Sequence, residues 1–175
     1  MANREALRDL QSRLADRLQA ARSEGVKVAA WLAVQAGGRG YLLPLSQSGE
    51  IFPWTGVQPV PYTKPWFLGI ANLRGTLAGV VDLAAMLGHG VARSEPALAE
   101  SSLLALHAAL EVNAALLVDR LQGLRGTEAF VGTEAPPADA PVFFGPVHID
   151  PSGNRWQELQ LQRLSQTSEF LSIRA

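Results

Sequence analysis

The sequence predicts a mainly β fold, and three hairpin patterns carry that prediction. Val28 to Val34 and Tyr41 to Leu45 are apolar runs separated by Gly37-Gly38-Arg39-Gly40. Phe67 to Ala71 and Leu77 to Leu83 flank Asn72-Leu73-Arg74-Gly75, and Phe143 to Ile149 and Trp156 to Leu161 flank Asp150-Pro151-Ser152-Gly153-Asn154. Short apolar runs joined by Gly, Asn and Asp read as strands and turns, because those residues accept the backbone conformations that tight turns need.

Ahead of the first hairpin, Leu7, Leu10, Leu14 and Leu18 are spaced by three, four and four, with Arg8, Asp9, Arg13, Asp16 and Arg17 on other faces. That spacing predicts an amphipathic helix over residues 4–24, started near Asn3 and stopped by Gly25. Its narrow stripe either docks on its own domain or serves as a partner-binding arm. The chain therefore divides into a helix over 1–25 and a domain over 26–175.

Pro53, Pro59, Pro61 and Pro65 exclude a helix between Ile51 and Trp66, leaving short extended pieces. Asp82 is placed to cap one turn through Ala84, Ala85, Met86 and Leu87, with Gly88 as its stop. Val91 to Glu100, with Pro96, reads as a linker between halves at 26–92 and 100–175. Ser101 to Leu121 supports two readings. Leu103, Leu106, Leu110, Ala114, Leu117 and Leu121 repeat at helical spacing, and propensity favours one long helix. The opposing reading sets strands at Leu103 to Ala109 and Ala114 to Asp119 around a Glu111-Val112-Asn113 turn. Residues 126–141 read as a loop, and a short helix fits after Ser165.

At 175 residues with 47% apolar and 18% charged residues, the chain can bury a substantial core. A net charge of −1 supplies no global field toward nucleic acid or anionic membrane, so a partner must be recognised by local surface. Cysteine is absent, which removes disulfides, thiolate metal sites and cysteine nucleophiles. The charged N-terminus is unlike a secretory signal, and no apolar run approaches the roughly 18 residues of a membrane span. A soluble cytoplasmic protein is expected.

Enzymatic chemistry needs convergent groups, and the sequence supplies few. His89, His107 and His148 are scattered without metal-ligand spacing; His107 is assigned to strand or core packing and the other two to loops. Ser46 and Ser48 beside Gly49 miss the nucleophile-elbow pattern, and glycines 37, 38 and 40 miss phosphate-loop spacing. Asp82 and Asp119 follow apolar runs and read as strand terminators rather than paired acids. Trp54, Trp66 and Phe67 lack the basic neighbours of a base-stacking platform, so packing or a protein interface is expected of them. Arg74 stands apart: at a bend between apolar strands its forked guanidinium can hold a carboxylate bidentately, and Glu50 beside Ile51 is the natural candidate.

Residues 60–88 carry Pro, an aromatic pair, Gly-Ile, Asn-Leu-Arg-Gly and an apolar strand ending in Val-Asp-Leu. With Tyr41 to Leu45, Glu50-Ile51 and Leu116 to Gly123, this segment resembles the CheW-like domain family over about residues 28–165. Within that family the charged N-terminal helix and the ending Trp156 to Leu164 with Phe170-Leu171 resemble adaptors of chemosensory systems that control type IV pili. The resemblance implies two intertwined five-stranded SH3-like β-barrels around a shared apolar seam, with strands crossing between halves, and it selects the strand reading of 101–121. It implies a non-catalytic scaffold, without cofactor or metal, that joins the regulatory domain of a CheA-like histidine kinase to the cytoplasmic tip of a methyl-accepting receptor. The implied partner-binding residues are Glu50, Ile51, Gly69, Asn72, Leu73, Arg74 and Gly75: an ion pair between Glu50 and Arg74, with Gly69 and Gly75 letting backbones approach or turn. The alternatives are an adaptor of flagellar chemotaxis, a small-ligand-binding or enzymatic barrel using the seam, and a nucleic-acid binder, which the balanced charge disfavours.

Overall fold

The computed structural model describes residues 12–15 and 29–175. Residues 12–15 are helical, and the rest of the helix expected over 4–24 lies outside the described residues. Among the described residues eleven strands follow: β1 (Trp31–Ala36), β2 (Arg39–Pro44), β3 (Ser48–Pro53), β4 (Phe67–Leu73), β5 (Thr76–Asp82), β6 (Ser102–Leu106), β7 (Ala114–Val118), β8 (Arg120–Arg125), β9 (Gly132–Glu134), β10 (Phe144–Ile149) and β11 (Arg155–Leu159). Two short helices, α1 (Leu83–Met86) and α2 (Glu95–Glu100), connect β5 to β6, and two more, α3 (Leu161–Gln166) and α4 (Ser168–Leu171), follow β11.

The strands form a six-stranded sheet, β8-β1-β2-β11-β10-β9, and a five-stranded sheet, β3-β6-β7-β5-β4. The mainly β class expected from the sequence is present, and where the resemblance implied two intertwined five-stranded barrels the strands form one six-stranded and one five-stranded sheet, with strands crossing between the halves. Both sheets are assembled across the 92/100 linker. The first hairpin, β1-β2, joins the C-terminal strands through the parallel β2–β11 pair, and β6-β7 join β3 to β5 through the parallel β5–β7 pair.

This interleaving explains the composition of the strands. Leu32, Val34, Tyr41, Leu43, Val81, Leu104, Leu116 and Val118 meet in one central seam between the sheets. The opposite faces fill two smaller interiors, Ala71, Leu73, Ala78, Val80, Leu103, Ala115 and Leu117 on one side and Trp31, Ala33, Leu42 and Trp156 on the other. Every residue of β7 is therefore buried, alternate side chains entering different cores. A strand buried on both faces is a continuous apolar run without polar alternation, which is why 101–121 carried a helical pattern as well. The strand reading is the one realised, shortened by a 3-10 turn at Ala108–Leu110 and a left-handed Glu111.

Other expectations resolve locally. Asp82 caps α1 by accepting from the Ala85 N–H at 3.2 Å, and Gly88 follows with φ of +84°. The expected linker is more ordered than read: Ser94 caps α2, accepting from Ala97, and Pro96 sits in its first turn, where no N–H is needed. Trp66 and Phe67 belong to the central seam, and Trp54 packs on the interior of the five-stranded sheet. In the closing turn, Asp150 Oδ1 accepts from the N–H groups of Ser152 and Asn154, both at 2.9 Å. Hydrogen bonding from Asn154, first, and then Trp156 holds the Asp150 carboxyl below its ordinary pKa.

Two of the three histidine expectations are corrected, while His89 lies in a loop as expected. His148 is a buried residue of β10, packed by Trp31 and Phe130, with Nε2 2.9 Å from Glu158. His107 is exposed and accepts from the Ala109 N–H to cap the 3-10 turn. Sequence position had suggested the reverse, because a buried His–Glu pair needs a partner ten residues away on the adjacent strand.

Candidate functional site

The bend between β4 and β5 is a two-residue loop, Leu73 pairing with Thr76 and leaving Arg74 and Gly75 at the tip. Both have positive φ, +51° and +86°, the requirement of the primed turns that match strand twist. Gly75 meets that requirement without steric cost, and its N–H donates to Asn72 Oδ1 at 2.7 Å. Arg74 accepts a conformation uncommon for a side-chain-bearing residue, which presents its guanidinium at the apex of the hairpin.

Strands β3 and β4 are opposite edges of the five-stranded sheet, yet Glu50 of β3 and Arg74 meet, Nη1 to Oε1 at 2.6 Å. The sheet therefore curls until its edges approach. The ion pair is a single contact rather than the expected bidentate one, and the Arg74 guanidinium also lies 5.8 Å from the Phe52 ring centre. Both side chains face solvent, 77% exposed for Arg74 and 47% for Glu50. Such a pair contributes about 0–1 kcal/mol to folding.

Of the other expected residues, Ile51 and Asn72 are exposed beside this pair. Gly69 works from behind: its φ is +141°, and a Cβ there would lie 2.3 Å from the Gln58 carbonyl oxygen. Its lack of a side chain lets the Gln58 segment bond to Ile70 in both directions, at 2.8 and 2.9 Å. Leu73 faces inward and is buried in the smaller core, so it shapes the hairpin and offers no side chain to a partner. Leu77 was missed by sequence reasoning. It lies directly across from Asn72 on the outer face and is exposed, a signal hidden because the alternation of β5 breaks at Val80-Val81. A groove of about 420 Å³ runs beside the pair, lined in part by Phe52, Thr76, His107 and Asn113.

Sequence reasoning also missed Arg93. Asp82 and Asp119 do terminate strands, and they also converge on the Arg93 guanidinium, Nε lying 2.5 Å from Asp119 Oδ1 and Nη2 3.2 Å from Asp82 Oδ1. Burial would lower the pKa of Arg93, but hydrogen bonds and charge from the two aspartates outweigh it and raise the value. The guanidinium stays charged at any working pH. A lone arginine in a segment read as linker carried no signal of this.

A larger cavity, about 660 Å³, opens on the six-stranded sheet among Gln35, Arg39, Phe144, Arg155, Trp156 and Gln157. It contains no acid–base pair. Among the described residues no three His, Cys, Asp or Glu side chains gather as metal ligands.

Comparison with known proteins bears on the family and the fold. A family model described as CheW-like domain matches residues 30–168. Protein PilI of Pseudomonas aeruginosa is 28% identical over 157 residues, covering 87% of this chain and 84% of PilI. A probable chemotaxis protein CheW of Rhizobium etli is 33% identical over 57 residues, 33% of this chain and 37% of that protein. The crystal structure of the scaffolding protein TtCheW from Thermoanaerobacter tengcongensis superposes with a TM-score of 0.64 at 19% identity, covering 79% of this chain and 93% of that one. With the interleaved sheets, the Asn-Leu-Arg-Gly hairpin and the family match spanning most of its length, this chain belongs to the CheW-like domain family.

Proposed function

We propose that this protein is a non-catalytic chemosensory adaptor coupling the cytoplasmic tip of a methyl-accepting receptor to the regulatory domain of a CheA-like histidine kinase, in a system controlling type IV pili and twitching motility. The observation that carries the reading is the exposed Glu50–Arg74 pair at the joined edges of the five-stranded sheet, flanked by exposed Ile51 and Leu77. A pair so exposed adds too little stability to be explained by folding, and arginine beside exposed apolar groups is the composition that protein interfaces favour. Similarity to PilI along most of both chains supports the pilus system over the flagellar one, since the CheW match from Rhizobium etli spans a third of this chain. The protein acts in the cytoplasm, recruited to receptor arrays at the inner membrane, without nucleic acid, cofactor or insertion into the bilayer.

The test is Arg74→Glu in binding assays with the kinase regulatory domain and the receptor tip. The variant is expected to melt like the parent and to lose about tenfold or more in affinity for at least one partner, the scale of an interface hot spot. Unchanged affinity for both sinks the reading. Loss of twitching on gene deletion identifies the pilus system; loss of swimming alone identifies the flagellar one.

A further inference from the structure

Arg93 has no part in the surface just described, yet its side chain is only 7% exposed and its guanidinium links segments that are far apart in the chain. Asp82 closes β5 in the five-stranded sheet. Asp119 is the single residue between β7 of that sheet and β8 of the other. The Asp119 N–H donates to the Gln35 carbonyl of β1 at 2.8 Å, and its Oδ2 accepts from the Gly37 N–H in the β1–β2 turn at 2.6 Å. One side chain, carried by the α1–α2 connection, is thereby tied to the end of one sheet, to the point where the chain enters the other, and through Asp119 to the first hairpin.

The central seam between the sheets is apolar. Burial of apolar surface is strong but non-directional, and packed layers can slide by small shear steps. A fork that must reach two carboxylates at once is directional, and lysine cannot reproduce it. Buried charge clusters are poor sources of net stability compared with apolar replacements, so a role in selecting one arrangement fits this cluster better.

We propose that Arg93 is a clasp that holds the two sheets at one angle, and thereby a positioning residue that keeps the Glu50–Arg74 surface in fixed orientation to the six-stranded sheet. Its consequence for partners rests on the adaptor reading; the clasp itself does not.

The chain has no cysteine, so a label pair can be placed uniquely. Leu77→Cys on β5 and Leu124→Cys on β8 occupy exposed positions, one on each sheet. Spin-label distance distributions are compared in the parent, in Arg93→Lys, and in the combined Arg93→Met, Asp82→Asn, Asp119→Asn variant, which leaves no charge buried at the junction. A broadened or shifted distribution in both variants, with cooperative melts retained, is the expected result. Distributions coincident with the parent in either variant overturn the clasp.

A second measurement separates positioning from mere folding. The combined variant is expected to bind kinase domain and receptor tip singly as the parent does, but to form the ternary complex about fivefold or more less well, the low end of ordinary coupling between sites. Equal ternary yield removes the positioning role. If the parent binds neither partner, the adaptor reading falls while the distance result still decides the clasp.

Discussion

Glu50–Arg74 and the Arg93 cluster join the same chemical groups in two environments. At the hairpin tip both partners lie largely in water; at the sheet junction Arg93 and Asp82 are 7% and 9% exposed and Asp119 is 30% exposed. In water the attraction is weak, screened by salt and offset by the entropy of ordering two long side chains. Out of water both attraction and desolvation are large, and the balance turns on whether every charge keeps its partner. The first arrangement is free to be read by another molecule, whereas the second is committed to its own fold.

The largest effect expected from this contrast is at Arg93. Arg93→Met leaves two aspartates without their shared cation, and a loss of about 3–5 kcal/mol is expected from the behaviour of broken buried pairs. Denaturant unfolding at neutral pH measures it. Adding Asp82→Asn and Asp119→Asn removes the orphaned charges and is expected to recover most of that loss, since an amide in place of the Asp82 carboxylate still caps α1. If Arg93→Met costs under about 1 kcal/mol, the junction behaves like a surface pair and the contrast collapses.

The two regions also differed in how far the sequence revealed them. The hairpin site was readable because a two-residue turn is local: Arg74-Gly75 and its Asn72 cap lie within four positions, and the Glu50 partner followed from the family pattern. The mainly β class was readable for the same reason, hairpin by hairpin. Arg93 was invisible because its meaning depends on Asp119, 26 residues away, being brought beside Asp82 by the parallel β5–β7 pair. The helical pattern of 101–121 misled on physical grounds too: β7 sends Leu116 to one core and Leu117 to another, so no polar alternation could mark it as a strand. His148 belonged to the same class, paired across strands with Glu158.

A smaller effect is expected at the tip. Arg74→Met removes the pair with Glu50 and the contact over Phe52, and the expected loss in unfolding free energy is about 1 kcal/mol or less. Raising the salt concentration from about 0.05 M to 0.5 M should shrink the difference between Arg74→Met and the parent, because the Debye length shortens and exposed charges are screened. The same salt change should leave the penalty of Arg93→Met nearly intact. A salt-insensitive penalty at Arg74 would show that the tip is better shielded than its exposure suggests.

The smallest effect on stability, and the sharpest on interpretation, belongs to the exchanged pair Glu50→Arg with Arg74→Glu. The attraction between the curled edges of the sheet is kept with its sign reversed in space, and only the cation over Phe52 is lost, about 0.5 kcal/mol at an exposed site. Unfolding curves should therefore nearly coincide with the parent's. Partner binding separates two meanings of the pair. If Arg74 is read directly, the exchanged protein presents a carboxylate where a forked cation is required, and affinity falls as far as in Arg74→Glu alone. Recovered affinity in the exchanged protein would mean that partners sense the closed edge of the sheet, which either orientation of the pair can fasten, and not the arginine itself.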